Sequence, residues 1–354
     1  MVGAGDRPTA RRWTGKLALA AAVLLIAALI YYRVRRGSFQ WQLFLSTLYH
    51  VNWAWLALSI VLILLTYWGR ALRWEVMLRP LGASVPVRRL TYDTAIGFSA
   101  VVLLGRAGEV VRPYLIAVSA GVPFSSQVAA WMLERILDLF AVLLLFGFAV
   151  AWIPSRGLAI GPALRWMLGA GGYLVAGIGI ACLLFLVLFR NFSDAARARI
   201  LSALTFLPQN YYQRVERMLE AFSRGMESTR DGRSVALLIA YTALGWLLIV
   251  GGYYALFLSL PATMQFKITD VVTILGFMAF GSLVQIPGIG GGLQVVATLV
   301  LTEIYRLPLE TAIGVSLFIW FITFVVIVPV GFVCAFHQGL NWTKLRQLPK
   351  DISL

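Results

Sequence analysis

The sequence predicts an all-α polytopic membrane protein: about six full spans plus two re-entrant or short paired helical hairpins arranged as inverted repeats. Three observations lead there. Hydrophobic residues fill 60% of the 354 positions and charged residues only 13%, a balance foreign to ordinary globular domains. Uncharged runs recur at the length a bilayer-crossing helix needs, about 20 apolar residues. Two of the apolar regions carry a glycine-rich interruption of similar pattern, and internal similarity of this kind points to a repeated unit.

Taken in order, Arg7, Arg11, Arg12 and Lys16 precede the apolar run Leu17–Tyr32. This resembles a signal peptide, but Tyr31-Tyr32-Arg33-Val34-Arg35-Arg36 stands where small residues at a cleavage site would follow. Residues 1–50 are therefore expected to be a retained anchor helix and a basic loop. The main membrane domain is expected over 51–340, with a short tail at 341–354. Its first span is Val51–Gly69. Arg70, Arg73, Arg79, Arg88 and Arg89, against the single acid Glu75, then read as a cytoplasmic loop, since Lys and Arg accumulate on that side. The next span, about Val128–Ile153, is apolar apart from Glu134, Arg135 and Asp138, and Trp166–Phe189 returns. Residues 190–233 are the one long polar segment. Val215, Met218, Leu219, Phe222 and Met226 keep helical spacing there, as in amphipathic helices on the inner membrane surface or a small cytosolic helical hairpin. The uncharged regions Ser234–Phe266, Val271–Thr302 and Thr311–Phe336 complete the domain. Arginine bias places both termini inside, with Arg33, Arg35 and Arg36 as exceptions. The scheme closes only if 90–124 and 268–308 each start and finish on one side, whether they cross fully or re-enter.

Those two segments hold the repeat. LGRAGEVV, Leu104–Val111, aligns with PGIGGGLQ, Pro287–Gln294, and one offset superposes Gly105 on Gly288 and Gly108 on Gly291. Downstream, Val122-Pro123 matches Leu307-Pro308, and each proline precedes a long apolar helix. Upstream, Asp93 with Gly97-Phe98 matches Asp270 with Gly276-Phe277 once gaps are allowed. Repeat 1 then covers about 90–153 and repeat 2 about 268–336. By arginine bias the two face opposite ways, the plan of many transporters whose broken helices meet near the midplane.

Charges inside the apolar regions are the candidate functional groups. They are Arg106, Glu109 and Arg112 in the first interruption, and Glu134, Arg135 and Asp138 in the helix after it. Each costs at least roughly 2.5–3.5 kcal/mol at a bilayer centre. They either line a polar cavity, with arginines for phosphate and carboxylates for an amine or a proton, or form a salt-bridge network joining hairpin to helix. In the second interruption, Pro287, Gly288, Gly290, Gly291 and Gly292 are expected at a hairpin tip. Its N–H groups, with a helix starting near Leu293, suit an anionic headgroup, or the glycines simply allow tight helix packing. The net charge of +15 lies at span ends and in loops, which fits membrane orientation and anionic lipid rather than nucleic acid. Cys182 and Cys334 fall inside predicted spans, and His50 and His337 are far apart, so no metal and no cofactor are expected. Common hydrolase motifs are missing.

Gly105-Arg106-Ala107-Gly108-Glu109 with Arg112, then Glu134-Arg135 with Asp138, then Pro287–Gly292, resemble the lysylphosphatidylglycerol synthase transmembrane region, a flippase-like domain, over roughly residues 50–340. The resemblance implies a stand-alone member, without the soluble aminoacyl-transfer domain, in a bacterial inner membrane. It implies movement of an anionic or aminoacylated lipid between leaflets. Arg106, Glu109, Arg112, Glu134, Arg135 and Asp138 match its polar motif and Gly288–Gly292 its second loop; with Gly105, Gly108, Pro287, Gly290, Gly291 and Gln294 they make up the expected headgroup site. Leu104 stands where the family has proline, and Gln294 where it has an acid. Membrane lipids, anionic phospholipid foremost, are the expected partners, with a homo-oligomer and lipid-synthesis enzymes as further ones. The alternative is a membrane-embedded transferase or accessory protein in polyprenyl-, glyco- or hopanoid-lipid synthesis.

Overall fold

Asn52 starts the first long helix. Its side-chain oxygen accepts the backbone N–H groups of Ala54 (3.1 Å) and Trp55 (3.4 Å), satisfying two donors that a helix start leaves open. The computed structural model describes residues 39–155, 231–281, 285–286 and 290–339, with scattered positions between 177 and 220. The expected span Leu17–Tyr32, most of Trp166–Phe189 and of the 190–233 segment, and the tail lie outside the described residues.

A short helix, α1 (Trp41–Tyr49), occupies part of what was expected to be a loop. It rests on α9 (Leu309–Trp320), with Thr47 Cγ2 3.0 Å from where a Cβ on Gly314 would stand. Trp41, Tyr49 and, beyond it, Trp53 are exposed, an aromatic set of the kind found at membrane–water interfaces. Helix α2 (Trp53–Leu78) does not stop at Gly69. This corrects the expected cytoplasmic loop: Arg70 and Arg73 lie within the helix. Ala71, Trp74, Met77 and Leu78 carry its buried face onward, and the arginines find partners inside the protein. Helix α2 runs antiparallel to α6 (Gly232–Ser259). The Asn52 N–H donates to the Ser259 carbonyl at 2.8 Å, and Gly252 lets Ile63 approach.

Both glycine-interrupted regions are helical hairpins. The first is α3 (Val87–Leu104), a 3-10 turn (Gly105–Val110) and α4 (Val111–Ala120). Gly105 ends α3 at φ +64°, a conformation open mainly to glycine. The return helix presses close: a Cβ on Gly97 would overlap the Arg112 Cβ, and one on Gly108 the backbone of Ala100. The second hairpin is α7 (Ile268–Gly281), a two-residue antiparallel ribbon of β1 (Gln285–Ile286) with β2 (Gly290–Gly291), and α8 (Gly292–Glu303). Gly291, at φ +97°, swings the chain into α8. The uncharged region Val271–Thr302 is thus two short helices and not one span. Each hairpin leads into a longer helical segment. After the first comes α5 (Phe124–Ser155). After the second comes α9, continued through a π turn (Phe321–Val325) by α10 (Ile327–His337).

The hairpins open at opposite ends of the α2–α6 pair. The base of the second packs with the start of α2 and end of α6, through Val51, Leu260, Phe266, Val271 and Ile304. The base of the first packs with the end of α2 and start of α6, through Trp74, Leu78, Leu90, Ile116 and Leu238. Their tips meet, β1 against the 3-10 turn. The packing is exchanged: α3 lies on α10, where Gly331 faces Ser99 and the Ala95 carbonyl, while α7 lies on α5, where Gly276 faces the Leu145 carbonyl. Similar locks close the two bases. Asp93 accepts from the Ser119 hydroxyl (2.8 Å) and the Gln338 amide (2.8 Å), and Asp270 from the Tyr305 hydroxyl (3.3 Å).

Candidate functional site

Four helices converge on two carboxylates. Glu134, fully buried on α5, takes hydrogen bonds from Arg70 Nη1 (2.8 Å), Arg73 Nη2 (2.7 Å) and the Trp74 indole (2.8 Å) on α2. Arg112, near the start of α4, adds two, through Nη1 (3.1 Å) and Nη2. One turn further along α5, Asp138 accepts from Arg73 Nη1 (2.7 Å) and Arg70 Nη1 (3.0 Å). Arg73 Nη1 also reaches the Thr242 hydroxyl on α6 at 3.0 Å. Arg135, 40% exposed, stands 3.4 Å from Asp138 and 3.6 Å from Glu134. The guanidinium groups of Arg70 and Arg112 lie 5.0 and 5.1 Å from the centre of the Phe98 ring, and Arg112 is 5.1 Å from Trp74. Aromatic faces stabilise cations at this range. The buried charges are therefore paired and hydrogen-bonded, which removes much of the cost of holding them there.

The cluster borders a cavity of about 330 Å³. Arg70, Tyr67 and Thr66 of α2 line it, with Phe98 of α3, Trp246 and Tyr253 of α6, Leu293 of α8 and Thr323 of the π turn. Its walls are otherwise apolar. The Tyr253 hydroxyl pairs with Thr323 Oγ1 at 2.9 Å. In the π turn the Val326 N–H reaches back five residues to the Phe321 carbonyl (3.1 Å), and such bulges recur at functional sites. A smaller recess shares Thr66, Arg70, Trp246 and Ile249 and extends to Arg73, Asp138 and Thr242. Arg70 thus connects the ion cluster to the apolar cavity.

Of the residues singled out in the sequence, the structure brings Arg112, Glu134, Arg135 and Asp138 together. It does not bring Arg106 or Glu109 to them: both stand on the 3-10 turn, Arg106 exposed and Glu109 half-buried. Gly105 and Gly108 serve the turn. Gly290 and Gly291 form β2, while Gly292 and Gln294 open α8. Pro287 and Gly288 lie outside the described residues. Arg70, Arg73, Trp74 and Trp246 were missed. Tyr67, Arg70, Arg73 and Trp74, at helical spacing directly after an apolar span, were the available signal. Among the described residues no group of three or more His, Cys, Asp or Glu is placed to hold a metal ion.

The family model for the lysylphosphatidylglycerol synthase TM region matches residues 16–331. Searches of curated proteins and of solved structures return no match.

Proposed function

Since the chain belongs to the family of the lysylphosphatidylglycerol synthase transmembrane region, we propose that it is a translocator, not an enzyme, moving an anionic or aminoacylated phospholipid, or a related lipid, between leaflets of a bacterial inner membrane. The observation that carries the reading is the cavity between the two hairpins, apolar on most of its wall and bordered by arginine on one side. An apolar wall suits acyl chains, and an arginine suits a phosphate. The exchanged packing of the hairpins supports treating them as inverted repeats, whose relative rocking would open the cavity to one leaflet and then the other. Both termini are assigned to the cytoplasmic side, from arginine bias.

Purified protein reconstituted into liposomes tests this. A headgroup-labelled fluorescent phospholipid in the inner leaflet should become accessible to an impermeant quencher faster than in protein-free vesicles. If lipids of several headgroup classes all move at the protein-free rate, the translocator reading fails.

A further inference from the structure

The charges around the cavity do not balance. Four arginines (Arg70, Arg73, Arg112, Arg135) face two carboxylates, Glu134 and Asp138. Setting aside the partly exposed Arg135 still leaves three against two. Both carboxylates are engaged, Glu134 by three arginines and an indole, Asp138 by two arginines at hydrogen-bond distance. No acid lines the cavity among the described residues, and Arg70 is its only charged side chain among them.

Its hydrogen-bonding groups are unbalanced too. Arg70 bonds Glu134 and Asp138 through Nη1 alone, leaving its Nε–H and Nη2–H groups without a protein acceptor among the described residues. The indole N–H of Trp246 is buried and also lacks an acceptor among them, and Trp246 lines both the cavity and the recess beside it. A buried donor left unsatisfied calls for an explanation. Guanidinium and indole groups donate and do not accept, so the ligand they require is rich in acceptors and negatively charged.

We propose that the cavity selects a lipid whose headgroup is a phosphate without a compensating amine, bound through Arg70 and the Trp246 indole, and that it rejects aminoacylated lipids. An added ammonium would meet a cluster already in cationic excess, with no carboxylate among the described residues that line the cavity to receive it, and like charges repel strongly where water is scarce. The selection rests on the translocator reading for its purpose, but it concerns binding alone.

The test is native mass spectrometry of the delipidated full chain, titrated with phosphatidylglycerol, lysyl-phosphatidylglycerol and phosphatidylcholine of identical acyl chains. Phosphatidylglycerol should bind at least about tenfold more tightly than either of the others. Excess inorganic phosphate should fail to displace it. Trp246→Phe removes the unpartnered donor without touching the ion cluster and should weaken phosphatidylglycerol several-fold; Arg70→Lys should weaken it while keeping the order of preference. Lysyl-phosphatidylglycerol binding as tightly as phosphatidylglycerol to the unaltered protein would overturn the proposal. So would displacement by inorganic phosphate, which would mark a site for a free anion. Selective binding without lipid movement in liposomes would sink the translocator reading and leave this one standing. Movement of lipid with no preference in binding would do the reverse.

Discussion

Glu134 receives hydrogen bonds from two helices besides its own: Arg70, Arg73 and Trp74 come from α2 and Arg112 from α4. Glu134→Gln keeps the shape and removes the charge, so Arg112 is left buried without an anion. Breaking a buried pair by removing one partner costs about 3–5 kcal/mol. The unfolding midpoint of the solubilised protein should fall accordingly. Arg135→Gln should shift stability by less than about 1 kcal/mol, because that arginine is half in solvent and pairs at longer range. Equal midpoints for Glu134→Gln and the unaltered protein would show that the cluster does not hold the helices together, and would leave ligand binding as its purpose. Arg106 and Arg112, equivalent candidates in the sequence, separate here. Only six residues apart, one stands on an exposed turn and the other in the ion cluster.

At the scale of elements, the first hairpin depends on two missing side chains. Gly97 and Gly108 let α4 and the turn lie against α3 at backbone contact. Gly97→Ala or Gly108→Ala would force the two limbs apart, and such overpacking costs typically about 1–3 kcal/mol. Gly69→Ala is the internal comparison, since nothing lies within 4 Å of its Cβ position. That change should leave the midpoint unchanged or raise it by up to about 1 kcal/mol through helix propensity. Size-exclusion profiles and thermal midpoints of the three variants decide the point; loss confined to Gly97→Ala and Gly108→Ala is the expected result. Arg112 lies opposite Gly97, so a displaced α4 would also pull an arginine from Glu134. Packing in the hairpin and charge pairing in the cluster are therefore coupled.

At the scale of the molecule, the hairpin bases sit at opposite ends of the α2–α6 pair, and the inverted-repeat proposal assigns those ends to opposite faces of the membrane. Ser84 near the first base and Gln265 near the second are both exposed. With Cys182 and Cys334 replaced, Gln265→Cys should react with an impermeant maleimide on intact cells, and Ser84→Cys only after permeabilisation. Labelling of both from one face would overturn the opposed arrangement. Among the described residues, the stretches long and apolar enough to cross a membrane include Trp53–Leu81, Gly232–Ser259 and Leu309–His337. Val87–Ala120 has the length and hydropathy as well, but it folds back at Gly105–Val110 and is a hairpin.

The sequence by itself determined the class of the protein, because apolar composition and run length are properties of the chain alone. It also located both breaks, since glycines repeated at the same spacing inside two otherwise apolar regions have few other uses. Glu134, Arg135 and Asp138 were legible for the same reason: a charge within an apolar run stands out. Only the tertiary structure decided what those charges meet. Arg70 and Arg73 follow an apolar span directly, where a basic loop and a buried helical turn look alike in one dimension. Their carboxylate partners lie 64 and 65 residues away. The unbalanced cluster, the cavity beside it and the indole of Trp246, unpaired among the described residues, arise from helices distant in the chain, and side chains that meet only on folding leave no local periodicity to read.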